Sequence, residues 1–297
     1  MGQGELDLEG TPRRLFSCTP TRLNTWLDCP RRYRFGYLDR PTPSKGPPWA
    51  HNSLGASVHL ALANWYRLPV PQRTPQAAGR LVVQAWQGEG FRDDAQSAYW
   101  QERARAMVEA YAETLDPAAE PIGIERTLAP RTPRLAFSGR VDRLDLREED
   151  GEREVVVVDY KTGKRPLTDF DARSSLALAL YALAAARMFR TPHVRVELHH
   201  LPTGEVAGHD HTRESLMRHL GRAEAIADEA VAAEEALRSG AQVVAEGAVR
   251  SDAEAADPDA LFPAQVTPSC RWCDFVRVCP AATDVTPAEP WSGLGDS

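Results

Sequence analysis

No stretch of this chain approaches the roughly 18 consecutive apolar residues that cross a bilayer, and its polar, acidic start offers no basic segment leading into an apolar one. Neither a membrane protein nor an exported one is expected, and the chain reads as cytoplasmic. Cysteine is sparse and odd in number, five residues, so a disulfide framework is not expected and ligation of metal by reduced thiols becomes the better reading. Net positive charge is lacking too: a formal charge of -7 and a pI near 5.7 exclude a protein that coats nucleic acid by bulk electrostatics. A phosphate-binding loop is missing as well. Around Gly163-Lys164-Arg165, Val158 stands where the leading glycine belongs and Arg165 where Ser or Thr belongs, so no ATP-driven motor is encoded and any helicase must be a partner chain.

What is present suffices for a globular fold, since 297 residues at 42% hydrophobic content can bury a sizeable core. The front of the chain carries helical periodicity. Thr19 to Arg34 repeats Leu23, Trp26, Leu27 and Tyr33 at helical spacing, Gly55 to Tyr66 does the same, and Pro75 to Leu115 continues it with a break at Gly88 to Gly90. The period then changes to that of strands over Ile122 to Leu128, Arg134 to Leu146 and Glu154 to Asp159, expected to form a small meander. An Ala/Leu-rich helix over Ser174 to Arg190 precedes a hairpin, Val194 to Leu201 and Glu205 to His209. Ser215 to Ser239 reads as a long acidic helix, and Gly240 to Pro268 as an acidic connection. Between Thr11 and Lys45, eight bases that include Arg31, Arg32 and Arg34 face only Asp28 and Asp39, a local positive segment suited to a phosphate backbone or simply to solvent.

The chemistry concentrates in Val155-Val156-Val157-Val158-Asp159-Tyr160-Lys161. Strand side chains alternate, so Asp159 and Lys161 share a face at the polar end of a buried strand. The preceding strand carries Gly139-Arg140-Val141-Asp142, which places Asp142 opposite Asp159. Two carboxylates held close are costly unless a hard cation joins them, and Mg²⁺ at about 2.1 Å from oxygen ligands is the usual resolution. With Lys161 to orient or deprotonate water and to pair with a phosphate oxygen, phosphodiester hydrolysis is the natural product.

These residues resemble the PD-(D/E)xK nuclease superfamily, and within it the RecB-like exonuclease branch, through Gly139-x-x-Asp142 followed by Asp159-x-Lys161 and the early-helix segment Gly55-Ala-Ser-Val-His59. The resemblance implies an α/β fold with a restriction-endonuclease-like core, a central mixed β-sheet flanked by helices. It implies Mg²⁺ or Mn²⁺ held by His59, Asp142, Asp159 and the backbone carbonyl of Tyr160, with Lys161, Asp142, Asp159 and His59 catalytic. Tyr181 matches the tyrosine of a substrate-contacting Gln-x-x-x-Tyr pattern, whereas Ala177 stands at the glutamine position. Glu125 is a weaker candidate for a supporting acid. The implied substrate is DNA, single-stranded or with free ends, cut in repair or recombination, with a helicase as a possible partner.

Cys270-x-x-Cys273 and Cys279 form a ligand-like triplet that needs a fourth thiol, and Cys29, which like Cys279 precedes proline, supplies it. Spacing alone leaves zinc and iron-sulfur equally open. Similarity to the AddB-type and CRISPR-associated nucleases of the same branch implies a 4Fe-4S cluster stapling the N- and C-terminal segments. The expected organisation is a disordered start over 1–16 and a nuclease domain over 17–280. That domain comprises a helical front 17–118, a catalytic core 119–212, a long helix 215–239 and the cysteine cluster 268–280, and a flexible tail over 281–297 follows. Cys18 is left as a small buried residue. His199, His200, His209 and His211 are dense, but adjacent strand residues face opposite sides, which argues against a second metal site there. The competing reading is a catalytically inert iron-sulfur module for DNA binding or helicase docking.

Overall fold

A computed structural model describes residues 15–149, 151–245 and 257–294; the expected disorder of residues 1–14, part of the acidic connection and the last residues of the tail lie outside them. Phe16, assigned to the disordered start, instead opens strand β1 (Phe16–Cys18). The single helix expected over Thr19 to Arg34 is two, α1 (Pro20–Asp28) and α2 (Pro30–Tyr37). Pro30 is the cause: it has no N–H to continue the ladder and drives the preceding residue into extended backbone, so Cys29 sits at φ -168° and ends α1 while opening α2. Helix α3 (Ala50–Arg67) follows, then α4 (Pro75–Ala85) and α5 (Asp94–Glu113), capped by the side chains of Thr74 and Asp93.

Strand β2 (Gly123–Leu128) precedes a split that hydropathy did not show: Arg134 to Leu146 divides at Ser138 into β3 (Leu135–Phe137), paired in parallel with β1, and β4 (Gly139–Glu149). Strand β5 (Glu152–Lys161) leads through α6 (Asp169–Ser174) and α7 (Leu176–Phe189) to the hairpin β6 (His193–His200) and β7 (Glu205–His211), and helix α8 (Arg213–Ala245) closes the series. The main sheet runs β2-β4-β5-β6-β7. Only β2-β4-β5 is the expected meander. Strand β6 lies parallel to β5, which demands a long crossover, and α6 and α7 provide it. The sheet is therefore mixed, as the α/β reading required.

Each face of the sheet carries its own core, and β5 feeds both. Val155 and Val157 pack with α7 and α8 residues such as Ala179, Leu183 and Leu220. Val156, Val158 and Tyr160 pack instead with Val58, Trp65, Val82 and Val108 of α3 to α5. All four valines are fully buried. The stretch 281–294, expected to be part of a flexible tail, is folded onto the start of α3: Ala50 N–H donates to the Pro290 carbonyl at 3.1 Å and Leu294, 7% exposed, joins the core beside Leu54. Its Pro and Gly content suggests flexibility, but burial of Ala288 and Leu294 outweighs it.

Candidate active site

The open ends of β4 and β5 meet α3 in one cleft. Asp142, on β4, receives the Tyr160 backbone N–H at Oδ2, 2.8 Å, and faces His59 Nδ1 through Oδ1 at 3.1 Å. The other ring nitrogen of His59, Nε2, lies 3.1 Å from the Tyr160 carbonyl. Both of these partners are pure acceptors, so only the doubly protonated imidazolium satisfies both contacts. Burial opposes that charge, but the hydrogen bond and charge of Asp142, with Asp159 and Glu125 beyond, prevail and raise the His59 pKa. Next along β5, Lys161 Nζ lies 2.6 Å from Asp159 Oδ2. Burial raises the Asp159 pKa, the Lys161 ammonium counters it, and Asp142 adds to it.

Glu125 is the residue that sequence reading undervalued. It joins His59 and Asp142 in a group whose ligand atoms lie within 4.8 Å of one another. Its backbone φ is +48°, a left-handed conformation unfavourable for a residue with a side chain, in the middle of β2. Such strain in a strand signals a position held for its side chain. Burial, then Asp142, raises the Glu125 pKa against the opposing pull of Arg140, whose Nε lies 2.8 Å from its carboxylate. A nitrogen and several carboxylate oxygens could hold a hard divalent cation here, and the crowding of acids gives the cation its electrostatic reason. The nearby sequence signal was slight: one glutamate in a short alternating strand.

The remaining predicted residues divide. Tyr181 lines the same cleft, a cavity of about 1100 Å³ that also takes in His59, Glu125, Asp142 and Lys161. Gly139 makes room for it, since a Cβ there would stand 2.5 Å from the ring, and burial pushes the Tyr181 hydroxyl up to about 12. Arg31, Arg32 and Arg34 of the basic segment do not line this cleft. Arg31 is buried and contacts Asp259 and the Phe262 carbonyl, Arg34 pairs with Asp259 and Asp39, and Arg32 lines a cavity with the cysteines. Cys29, Cys270, Cys273 and Cys279 all line a second cavity of about 400 Å³. No three of their sulfurs come within 4.8 Å of one another. Cys18, as expected, is buried, and burial pushes its thiol up to about 11. His199 and His200 are each hydrogen-bonded within the fold, to Tyr111 and Glu197 and to Gly163 and Thr203.

Known proteins resemble this chain to different degrees. Over 149 residues, 46% of this chain, the sequence is 30% identical to one of the subunits of the ATP-dependent helicase/deoxyribonuclease of Lachnoclostridium phytofermentans, of which it spans only 13%. A solved structure, the crystal structure of SSO0001, aligns over 90% of this chain and 86% of its own at 12% identity and a TM-score of 0.34. Residues 17–280 match the sequence profile of the PD-(D/E)XK nucleases. The chain, with its mixed sheet and its acids at the sheet's open end, belongs to the PD-(D/E)XK nuclease superfamily.

Proposed function

We propose that this protein is a divalent-metal-dependent deoxyribonuclease that attacks single-stranded or open-ended DNA, with Asp142, Asp159, His59 and Lys161 as its catalytic groups. One observation carries the reading: His59, Glu125 and Asp142 converge within 4.8 Å beside the 2.6 Å pair of Asp159 and Lys161, in a cleft large enough for a strand. Mg²⁺ or Mn²⁺, held by His59, Asp142, Asp159 and the Tyr160 carbonyl with Glu125 adjacent, would supply the positive charge that phosphodiester hydrolysis needs. Lys161, with its side chain 45% exposed, can reach a phosphate oxygen or the attacking water while Asp159 fixes its direction. Asp142 keeps the end of β5 in place through the Tyr160 N–H, beside Lys161, which lines the cleft, and its partner Asp159. Tyr181 lines the same cleft as a substrate contact.

The four cysteines support a 4Fe-4S staple. All four sulfur-bearing residues line one cavity of about 400 Å³ that brings the N- and C-terminal segments together. Backbone N–H groups of Gln265 and Thr267 point at the Cys29 and Cys270 sulfurs at 3.5 and 3.3 Å. Such a staple would tie α2 to the C-terminal segment. The name of the Lachnoclostridium relative, a helicase/deoxyribonuclease, supports work alongside a helicase in repair or recombination.

The test is cleavage of an end-labelled single-stranded oligonucleotide by anaerobically purified protein with Mg²⁺ or Mn²⁺, beside Lys161→Ala. Cleavage by the wild type and none by the variant, with DNA binding retained, supports the reading; its product ladder yields polarity. Binding without cleavage by the wild type would establish the inert binding module instead, and equal cutting of closed circular duplex would remove the preference for free ends.

A further inference from the structure

The catalytic cleft does not end at Lys161. Beyond Thr162 and Lys164 it opens into a neighbouring cavity of about 650 Å³, and Leu54, Trp100, Thr162, Lys164 and Leu294 line both. The far wall is the first half of α5. There Tyr99, 39% exposed, meets Trp100 edge-to-face at 5.7 Å. Arg103 lies across the pair, its guanidinium 5.7 Å from the Tyr99 ring and 5.4 Å from the Trp100 ring, and donates to the Tyr99 hydroxyl at 3.2 Å. The Trp100 indole N–H, shielded from solvent, has no acceptor among the described residues. No carboxylate lines this cavity among the described residues, although the chain carries a net charge of -7.

We propose that Tyr99, Trp100, Arg103 and Lys164 form a stacking platform for the bases of a single-stranded nucleic acid, holding the strand just beyond the scissile phosphate. This rests on the nuclease reading above and specifies which part of the chain grips the substrate. The chemistry fits one occupant. Rings and a guanidinium plane accept any base by its π-face, while the ammonium of Lys164 and the guanidinium of Arg103 meet the phosphates that join them. A peptide or small apolar ligand would use the rings but not the one-signed charge. Duplex DNA keeps its bases stacked on each other and offers none to the platform.

Fluorescence anisotropy of a dye-labelled single-stranded oligonucleotide, in EDTA so that nothing is cut, tests it with Tyr99→Ala, Arg103→Gln and a strand carrying a run of abasic sites. Tyr99 is exposed, so its truncation should leave the fold intact, and Arg103→Gln gives a second variant with the rings retained. Tyr99→Ala should raise Kd about tenfold on the normal strand, the order expected for loss of one base-aromatic stack. On the abasic strand that penalty should vanish, because no base remains to stack. Unchanged binding by both variants, or an equal penalty on the abasic strand, overturns the proposal. Failure of the nuclease reading shows separately: a protein that passes this test but never cleaves keeps the platform and loses the reaction, and one that cleaves without the base-dependent penalty does the reverse.

Discussion

Replacing Arg143 by methionine tests how the catalytic end of β5 is held. Arg143 is 5% exposed, and its Nη1 donates to the hydroxyls of Tyr66 at 2.7 Å, Tyr160 at 3.1 Å and Tyr111 at 3.3 Å. Its Nε and Nη2 both reach Asp145 Oδ2 at 3.0 Å. Methionine fills similar space but leaves these groups without their donor. Removing one partner from a buried charged network costs about 3–5 kcal/mol. The lower end applies here, because the Asp145 side chain is 22% exposed and can be rehydrated, and Tyr111 keeps its 2.8 Å contact with His199. For a chain of this size, about 3 kcal/mol corresponds to a fall in melting temperature of roughly 6–12 °C. Thermal unfolding followed by circular dichroism reads it directly. Arg143→Lys, which keeps charge but loses the fork, should fall in between. A methionine variant melting within about 2 °C of the wild type would refute the view that this network braces Tyr160, whose N–H and carbonyl serve Asp142 and His59.

Three further outcomes are expected. Glu125→Gln should weaken Mn²⁺ binding measured by calorimetry by about tenfold or more, and unchanged affinity would place Glu125 outside the metal's surroundings. Cys273→Ser should lower the melting temperature of anaerobically prepared protein and its iron and sulfide content together; unchanged melting would contradict the staple. His211, buried between His209 and His219, has its pKa lowered from 6.5 to about 4, chiefly by burial and then by those two histidines. Because the folded state holds it neutral while the unfolded chain protonates it near 6.5, its stabilising contribution is present above about pH 6.5 and lost as pH falls toward about 4. A pH series of melting temperatures should therefore fall less steeply across that window for His211→Asn, and parallel curves would be evidence against it.

Much of the site could be seen before any coordinates because β-strand alternation is local. Asp159 and Lys161 had to share a face, whereas the close approach of Tyr181 to Gly139 emerges only in the fold. Glu125 reads in the sequence only as a weaker supporting acid because its place depends on a single left-handed residue, and no period in the sequence announces a kink. Arg143 escaped notice for a different reason: its partners come from α3, α5, β4 and β5, so the network exists only after those elements pack. The partners of the basic segment were not legible, because charge can be counted along the chain but pairing cannot. Asp259, more than two hundred residues away, is what engages Arg31 and Arg34. The broken first helix, by contrast, was there to be read in Cys29-Pro30.

The division of β5 between two cores has a consequence for how this sequence can drift over generations. Point changes among its valines shift one core or the other, and hydrophobic exchange of similar volume is tolerated in such positions. Gain or loss of a single residue within 152–161 is another matter. It would turn Tyr160 toward α7, thrust an acid or the lysine among Trp65 and Val108, and break register with β4 and β6 at once. Lineages descended from this protein should therefore exchange similar apolar residues among Val155 to Val158 while keeping the length of β5, with insertions collecting in the turns at either end.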